Sequence, residues 1–254
     1  MIVTIDGPAG AGKSTVARAV ARELGLPYLN SGSIYRAITL LGIERGGRFE
    51  NRATVEDIIR NLKLRFVERS DRSPSGDDSQ TTRGDGSSPS EATQVFVGDR
   101  DITTKLTEPA VTAQVYRVAN DSGYRALLVD FQRKFAQPSG VVAEGRDMGT
   151  VIFPRADRKV YLDASAEERA RRRCRELRVK GGGENKFDKE PAGDDAISYE
   201  EVLDSILVRD ERDRQRQHAP LCVPEDAVVV DTDNKSVAEV VREVLSSVGV
   251  RRRE

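Results

Sequence analysis

Residues 1–15 read MIVTIDGPAGAGKST and hold three elements in succession. Ile2, Val3, Thr4 and Ile5 are uncharged and mostly β-branched, the composition of a short buried strand, and Asp6 closes it. Gly7-Pro8-Ala9-Gly10-Ala11-Gly12-Lys13-Ser14 then satisfies G-x-x-x-x-G-K-S/T at every defined position, with Thr15 following. The stretch KSTVARAVARELG places Val16, Ala19, Val20 and Leu24 on one helical face, and Gly25 supplies its stop. Glycines at these spacings let backbone N–H groups turn inward around an anion, and the helix N-terminus adds partial positive charge. A nucleoside triphosphate is the anion this pattern fits, with Lys13 expected at its β- and γ-phosphates and Ser14 at the accompanying Mg²⁺. A chance glycine-rich turn would match the loop alone. Here the flanking strand and helix are present as well.

Downstream, LPYLNSG reads as a second short strand ending in a turn, and SIYRAITLLGIERGG as a helix stopped at Gly46 and Gly47. Ser31 and Arg36 stand at the start of that unit, where an open α/β sheet presents its crevice; an N-cap serine and a surface arginine is the equal alternative. Thr54–Leu62 reads as a short helix with a T-x-x-D cap. KLRFVE and TQVFVGDRDIT alternate as strands around a tight GDRD turn. Between them, residues 69–92 contain almost no apolar side chain and are expected to be a mobile extension of the hairpin. The RGD at 83–85 is a coincidence of that composition.

Two helices follow. TEPAVTAQVYRVAN carries Thr, Glu and Pro in its first turn, and SGYRALLVDFQRKFAQ is expected to turn Leu127, Leu128, Phe131 and Phe135 inward, with Arg125 near its start. VVAEG is then a buried strand running into Arg146-Asp147-Met148-Gly149, a charged pair where parallel sheets place ligand contacts. After the strand RKVYLDA, a capping box from Ser165 to Glu168 opens a helix on which Arg169, Arg172 and Arg173 share a face. Few acids offset these arginines, so the helix reads as a phosphate-closing lid rather than a solvated charged face. The loop after Lys180 includes NKFD (185–188), which lacks the preceding strand a guanine-binding motif needs. SYEEVLDSILVRDERDRQRQ is a capped helix with apolar Val202, Leu203, Ile206 and Leu207, whose tail presents Arg209, Asp213 and Arg216 on one face. AVVVDT and the capped SVAEVVREVLSSVG complete the alternation, and Arg251–Arg253 read as a frayed end.

This order predicts an α/β fold of the P-loop NTPase kind: three α/β/α layers on a central parallel sheet, with a small β insert and an arginine-rich helical lid. The expected core is 1–61 with 103–254, the lid lying at about 166–215, and the insert is 62–102. A formal charge of −1 offers no global attraction to nucleic acid or anionic lipid, and no apolar stretch has the length of a membrane span. Two cysteines without ligand or redox spacing suit a reduced, cytoplasmic setting. The single histidine, His218, argues against His-based metal sites and Ser/His/Asp chemistry. Cations gather at Arg36, at Arg146 and on the arginine-rich helix with its successor, more than one triphosphate requires. A second phosphorylated ligand accounts for them. A phosphate monoester has a second pKa of about 6, so its oxygen is a nucleophile at neutral pH without a general base.

GPAGAGKST, NSGSIYR, EGRDMGTVIFP and RDERDRQR-x-x-APL, in this order and spacing, resemble the bacterial cytidylate kinase family over nearly the whole chain. The resemblance implies phosphoryl transfer from MgATP to CMP or dCMP by a monomer acting on small molecules. It implies Arg36 and Arg146 at the CMP phosphate; Ser31, Asp213 and Arg216 at the sugar, with Arg209 nearby; and Arg125 and Asp147 as base readers. Lys13, Arg146, Arg169 and Arg172 take the catalytic roles. A carboxylate and a guanidinium match the donor and acceptors of cytosine, whereas uracil sets an acceptor against the carboxylate. Three features depart from the family: Asn30 where many relatives have Asp, Tyr116 where they often have Ser, and a lid loop, 181–197, longer by about a dozen residues, a length that surface loops tolerate. Another P-loop kinase of a small substrate and a nucleotide-gated switch are the competing readings. A D-x-x-G switch motif and a strand-borne N-K-x-D are both missing from the sequence.

Overall fold

The computed structural model describes residues 1–67, 93–137, 139–180 and 198–249, the side chains of 178–180 excepted. The predicted hairpin extension with its RGD, the NKFD loop and the basic C-terminal end lie outside the described residues.

The chain forms two compact units, Met1–Asn30 with Val129–Glu254, and Ser31–Leu128. In the first, β1 (Ile2–Asp6) pairs in parallel with β6 (Val141–Gly145) and with β7 (Arg158–Asp163). β2 (Tyr28–Asn30) extends the sheet beyond β6, and β8 (Val228–Asp231) extends it beyond β7. The order β2-β6-β1-β7-β8 puts the opening strand at the centre, which is why its apolar run shows no alternation. α1 (Lys13–Leu24) and α8 (Val237–Val248) share a core with the sheet built on Val16, Val20, Val3, Ile5, Val142, Leu162, Val230, Val240 and Val244. α8 carries a closed capping box between Ser236 and Glu239, and Gly249 ends it in a left-handed conformation. α6 (Ala166–Lys180) and α7 (Tyr199–Arg214) pack through Ala170, Cys174, Val202 and Ile206.

In the second unit, β3 (Leu64–Val67), β4 (Gln94–Val97) and β5 (Arg100–Asp101) make an antiparallel three-stranded sheet. α2 (Ser31–Glu44), α3 (Arg52–Arg60), α4 (Pro109–Ala119) and the start of α5 (Ser122–Phe135) group with it. This unit is therefore larger than the stretch 62–102, because α2 packs on α3 and α4.

Several local expectations change. The α3 cap is Asn51, whose side chain accepts from the Thr54 N–H, so Thr54 lies inside the helix. Ser165 does accept from the Glu168 N–H, but its own N–H donates to Asp233 and Glu168 pairs with Arg171 and Arg172; the reciprocal half of the box is absent. On α5 only Leu128 of the four predicted residues is fully buried, while Leu127, Phe131 and Phe135 are half-buried and Tyr124, Arg125 and Gln132 lie inside. On α7 Leu207 is exposed, and the buried stripe runs Val202, Ile206, Asp210, Asp213. It thus passes from apolar to acidic along the helix.

Candidate active site

The loop between β1 and α1 has the shape its glycines allow. Gly7 approaches β7 so closely that a Cβ would sit 2.1 Å from the Leu162 carbonyl oxygen. Gly12, at φ 84°, caps α1 in a left-handed conformation that an L side chain rarely adopts. Lys13 is buried, and its ammonium donates to the Pro8 carbonyl at 2.6 Å, back across the loop. Burial, then Arg146 and Arg209, push its pKa well below the ordinary lysine value, while Glu144 and Asp6 oppose them. Two cations, from the end of β6 and from α7, therefore bear on the lysine of the loop. An anion is what relieves such a gathering.

The strand register assembles the other side. Asp6 lies opposite Gly145, and Glu144 lies opposite both Ile5 and Asn30. Asp6 is fully buried and accepts from the N–H groups of Met148 (2.8 Å) and Gly149 (2.7 Å) in the wide helical turn Met148–Ile152. It thereby fixes the loop that carries Arg146 and Asp147. Glu144, also buried, accepts from the Tyr28 hydroxyl and, at 2.7 Å, from the Asn30 amide. Asn30 suits this position, since an amide donates to Glu144 where a second carboxylate would repel it.

Arg146 Nε donates to Asp213 at 2.8 Å, and Arg216 holds the other oxygen of the same buried carboxylate. Asp147 is buried in the same loop, and Arg209, one turn before Asp213 on α7, acts on both Asp213 and Lys13. Arg169 and Arg172 stand beside the phosphate loop, each already engaged. Arg169 donates to the Ala9 carbonyl at 3.2 Å and pairs with Asp210 at 2.6 Å. Arg172 binds Thr232 through its hydroxyl and carbonyl, and Glu168 on its own helix. A Cβ on Gly12 would lie 4.0 Å from its Nη1.

In the second unit Arg36 donates to the Leu106 carbonyl at 2.8 Å and to Thr112 at 2.9 Å. Arg125 is buried over the Tyr35 ring, 5.6 Å from its centroid, and donates to the Ala119 carbonyl at 3.1 Å. Ser31, at the first turn of α2, is buried, and Tyr116 is exposed.

The family model for cytidylate kinase matches residues 3–249. The chain belongs to the cytidylate kinase family. A cytidylate kinase of Carboxydothermus hydrogenoformans is 38% identical over 98% of this chain and 97% of its own. One of Methylococcus capsulatus is 39% identical over 97% of this chain and 96% of its own. Among solved structures, a shikimate kinase from Bacteroides thetaiotaomicron covers 98% of this chain and 99% of its own, at 15% identity and a TM-score of 0.44.

Within this family member, sequence reading missed Asp210, Glu144, Tyr28 and Thr232, and gave Asp6 no role beyond closing a strand. Only Asp210 left a trace: it falls four residues after Ile206, on the apolar stripe of α7.

The burial of Asp6 has a measurable consequence. It raises the carboxyl from 3.8 to about 7, against the pull of the two backbone N–H groups. Between about pH 4 and pH 7 the folded state keeps a proton that the unfolded state has lost, so stability is expected to fall as pH rises through that window. The fall amounts to about 4 kcal/mol at most. Denaturant titrations of wild type and Asp6→Asn across pH 4.5–8 check this. The downward slope is expected to be present in the former and removed in the latter, and parallel profiles would place the titration elsewhere.

Proposed function

We propose that this protein transfers the γ-phosphoryl group of MgATP to CMP or dCMP, giving ADP with CDP or dCDP, and that it does so in the cytoplasm. One observation supports the reading most: Lys13, Arg146 and Arg209 converge in a member of the cytidylate kinase family, from three different elements. A single triphosphate cradle needs the first of them. Arg146 suits the acceptor phosphate, and Arg209 stands beside the sugar contacts.

The loop Gly7-Pro8-Ala9-Gly10-Ala11-Gly12 with Lys13, Ser14 and Thr15 binds the triphosphate through backbone N–H groups and the start of α1. These residues fit an anion, and Ser14 in the first turn of α1 fits the metal that travels with it. Among the described residues no group of three or more His, Cys, Asp or Glu side chains is placed to hold a metal. Ser14 would hold Mg²⁺ brought with the nucleotide, and the metal would supply neutralisation of phosphate charge. Arg36 and Arg146 bind the acceptor phosphate; Ser31, Asp213 and Arg216 bind the sugar, with Arg209 beside them. Arg125 and Asp147 read cytosine.

The reaction then needs alignment rather than a base. The acceptor oxygen is anionic at neutral pH, so the protein contributes position, opposing charge and exclusion of water. Arg172 reaches the transferred group only by exchanging its present partners, whereas Arg169 acts from its place beside the loop. Their replacement by alanine is accordingly expected to lower kcat more than it raises KM.

A substrate panel tests this reading: MgATP consumption against CMP, dCMP, UMP, AMP and shikimate. CMP and dCMP are expected to lead, and preference for any other acceptor would reject the base assignment. In the same assay Asp147→Asn is expected to narrow the ratio of kcat/KM between CMP and UMP by about tenfold or more, since its amide can donate to uracil O4. An unchanged ratio would place base selection elsewhere.

A further inference from the structure

Two buried aspartates, three residues apart on α7, each grip an arginine from another element. Asp213 holds Arg146 and belongs to the acceptor side described above. Asp210 holds Arg169, at the start of α6, and both side chains are almost wholly buried.

Arg169 spends its guanidinium on three acceptors that come from three places. Nε donates to the Ala164 carbonyl at 3.0 Å, Nη1 to the Ala9 carbonyl at 3.2 Å, and Nη2 pairs with Asp210 at 2.6 Å. Its stem also lies against the loop, with a Cβ on Gly10 falling 3.1 Å from the Arg169 Cβ. In a trans peptide the N–H points opposite to the C=O. Anchoring the Ala9 oxygen therefore sets the direction in which the Gly10 N–H faces, and that direction decides whether it can meet a phosphate.

Helix packing alone does not account for this pair. α6 and α7 already meet through Ala170, Cys174, Val202 and Ile206, and an apolar residue at 210 would extend that contact without burying charge. Asp210 is also only half satisfied, since its Oδ1 is buried with no hydrogen-bond partner among the described residues. What the carboxylate does achieve is to fix a guanidinium that bonds the loop backbone, at the Ala9 carbonyl. We infer that Asp210 is a positioning residue for the triphosphate cradle: through Arg169 it orients the Ala9–Gly10 peptide for the donor nucleotide. This rests on the nucleotide-binding role proposed above and adds to it a dependence of the cradle on α7.

The test uses the full-length chain, with binding of a non-hydrolysable ATP analogue (Mg·AMP-PNP) and of CMP measured separately by calorimetry. Asp210→Ala is expected to weaken AMP-PNP by about tenfold or more and to raise the KM for ATP. CMP affinity and kcat at saturating ATP are expected to stay within about threefold. Asp210→Asn keeps an oxygen for Arg169 and is expected to recover most of the loss. Arg169→Lys, which cannot span three acceptors, is expected to weaken AMP-PNP alike with CMP affinity kept within about threefold; because Arg169 also acts in transfer, this variant is judged on binding alone, and it serves in place of Asp210→Ala should that variant not fold. Unchanged AMP-PNP affinity in these variants would overturn the inference, as would equal weakening of AMP-PNP and CMP together with a lowered Tm. Failure of the wild type to bind AMP-PNP would instead reject the nucleotide reading itself.

Discussion

Lys13→Ala is expected to reduce kcat by about 10²–10³-fold, with a smaller change in the KM for CMP. The side chain is buried beside its own loop, in a setting that already disfavours its charge through desolvation and through Arg146 and Arg209. A bound triphosphate is expected to reverse that balance, its oxygens replacing the Pro8 carbonyl, the present partner of the ammonium. Charge that grows between the β- and γ-groups during transfer is then met by a cation needing no reorganisation. Alanine removes the cation and leaves the loop backbone, so the fold is expected to survive. Steady-state kinetics with MgATP and CMP, alongside a melting curve, make the measurement. A wild-type rate in the folded variant would contradict the assignment of the loop.

Asp213→Ala is expected to cost about 3–5 kcal/mol of stability as well as most of the activity. Its carboxylate is buried and shared by two arginines, Arg146 and Arg216, themselves largely out of water. Truncation leaves two guanidiniums without the carboxylate that both of them hold. Charge matters here beyond geometry. Burial pushes the Asp213 carboxyl up, but Arg146 and Arg216 outweigh it and hold the group below the usual carboxylate range. A depressed folded pKa stabilises the fold above the unfolded value, and the contribution is lost as pH falls through the folded one. Wild type is therefore expected to lose stability more steeply than Asp213→Asn as pH drops below about 4. That sign is opposite to the one expected for Asp6. Chemical denaturation between pH 2.5 and 7 separates them, and equal acid slopes for wild type and Asp213→Asn would show that the pair is not ionised in the fold.

Much of the molecule was legible in the chain because the signals are local. A phosphate loop is made of consecutive backbone conformations, so Gly7 to Ser14 announce it without reference to anything distant. Parallel strands buried on both faces read as apolar runs, as β1 and β6 do; β7 and the edge strand β8 also stand where they are read, although Val228 and Val229 of β8 are exposed. The capping boxes before α7 and α8 are likewise contained within four residues.

What the linear text left open concerns charges whose partners lie far along it. An aspartate at the end of a strand says nothing about Met148 and Gly149, 142 and 143 residues away, yet those bonds shape the loop bearing Arg146. An arginine-rich helix reads as a phosphate-closing lid without naming any partner for its cations; folded, Arg169 is inside, tied to Ala9 and Asp210. Asn30 reads as the loss of a charge; folded, it is a donor to Glu144. Composition and spacing were enough to predict a parallel sheet and, on it, a glycine loop of the kind that suits a polyphosphate, since backbone geometry and hydrophobic period are encoded residue by residue. Which carboxylate neutralises which guanidinium was settled by packing, because the energy of an ion depends on its burial and its neighbours, and neither exists until the chain has closed on itself.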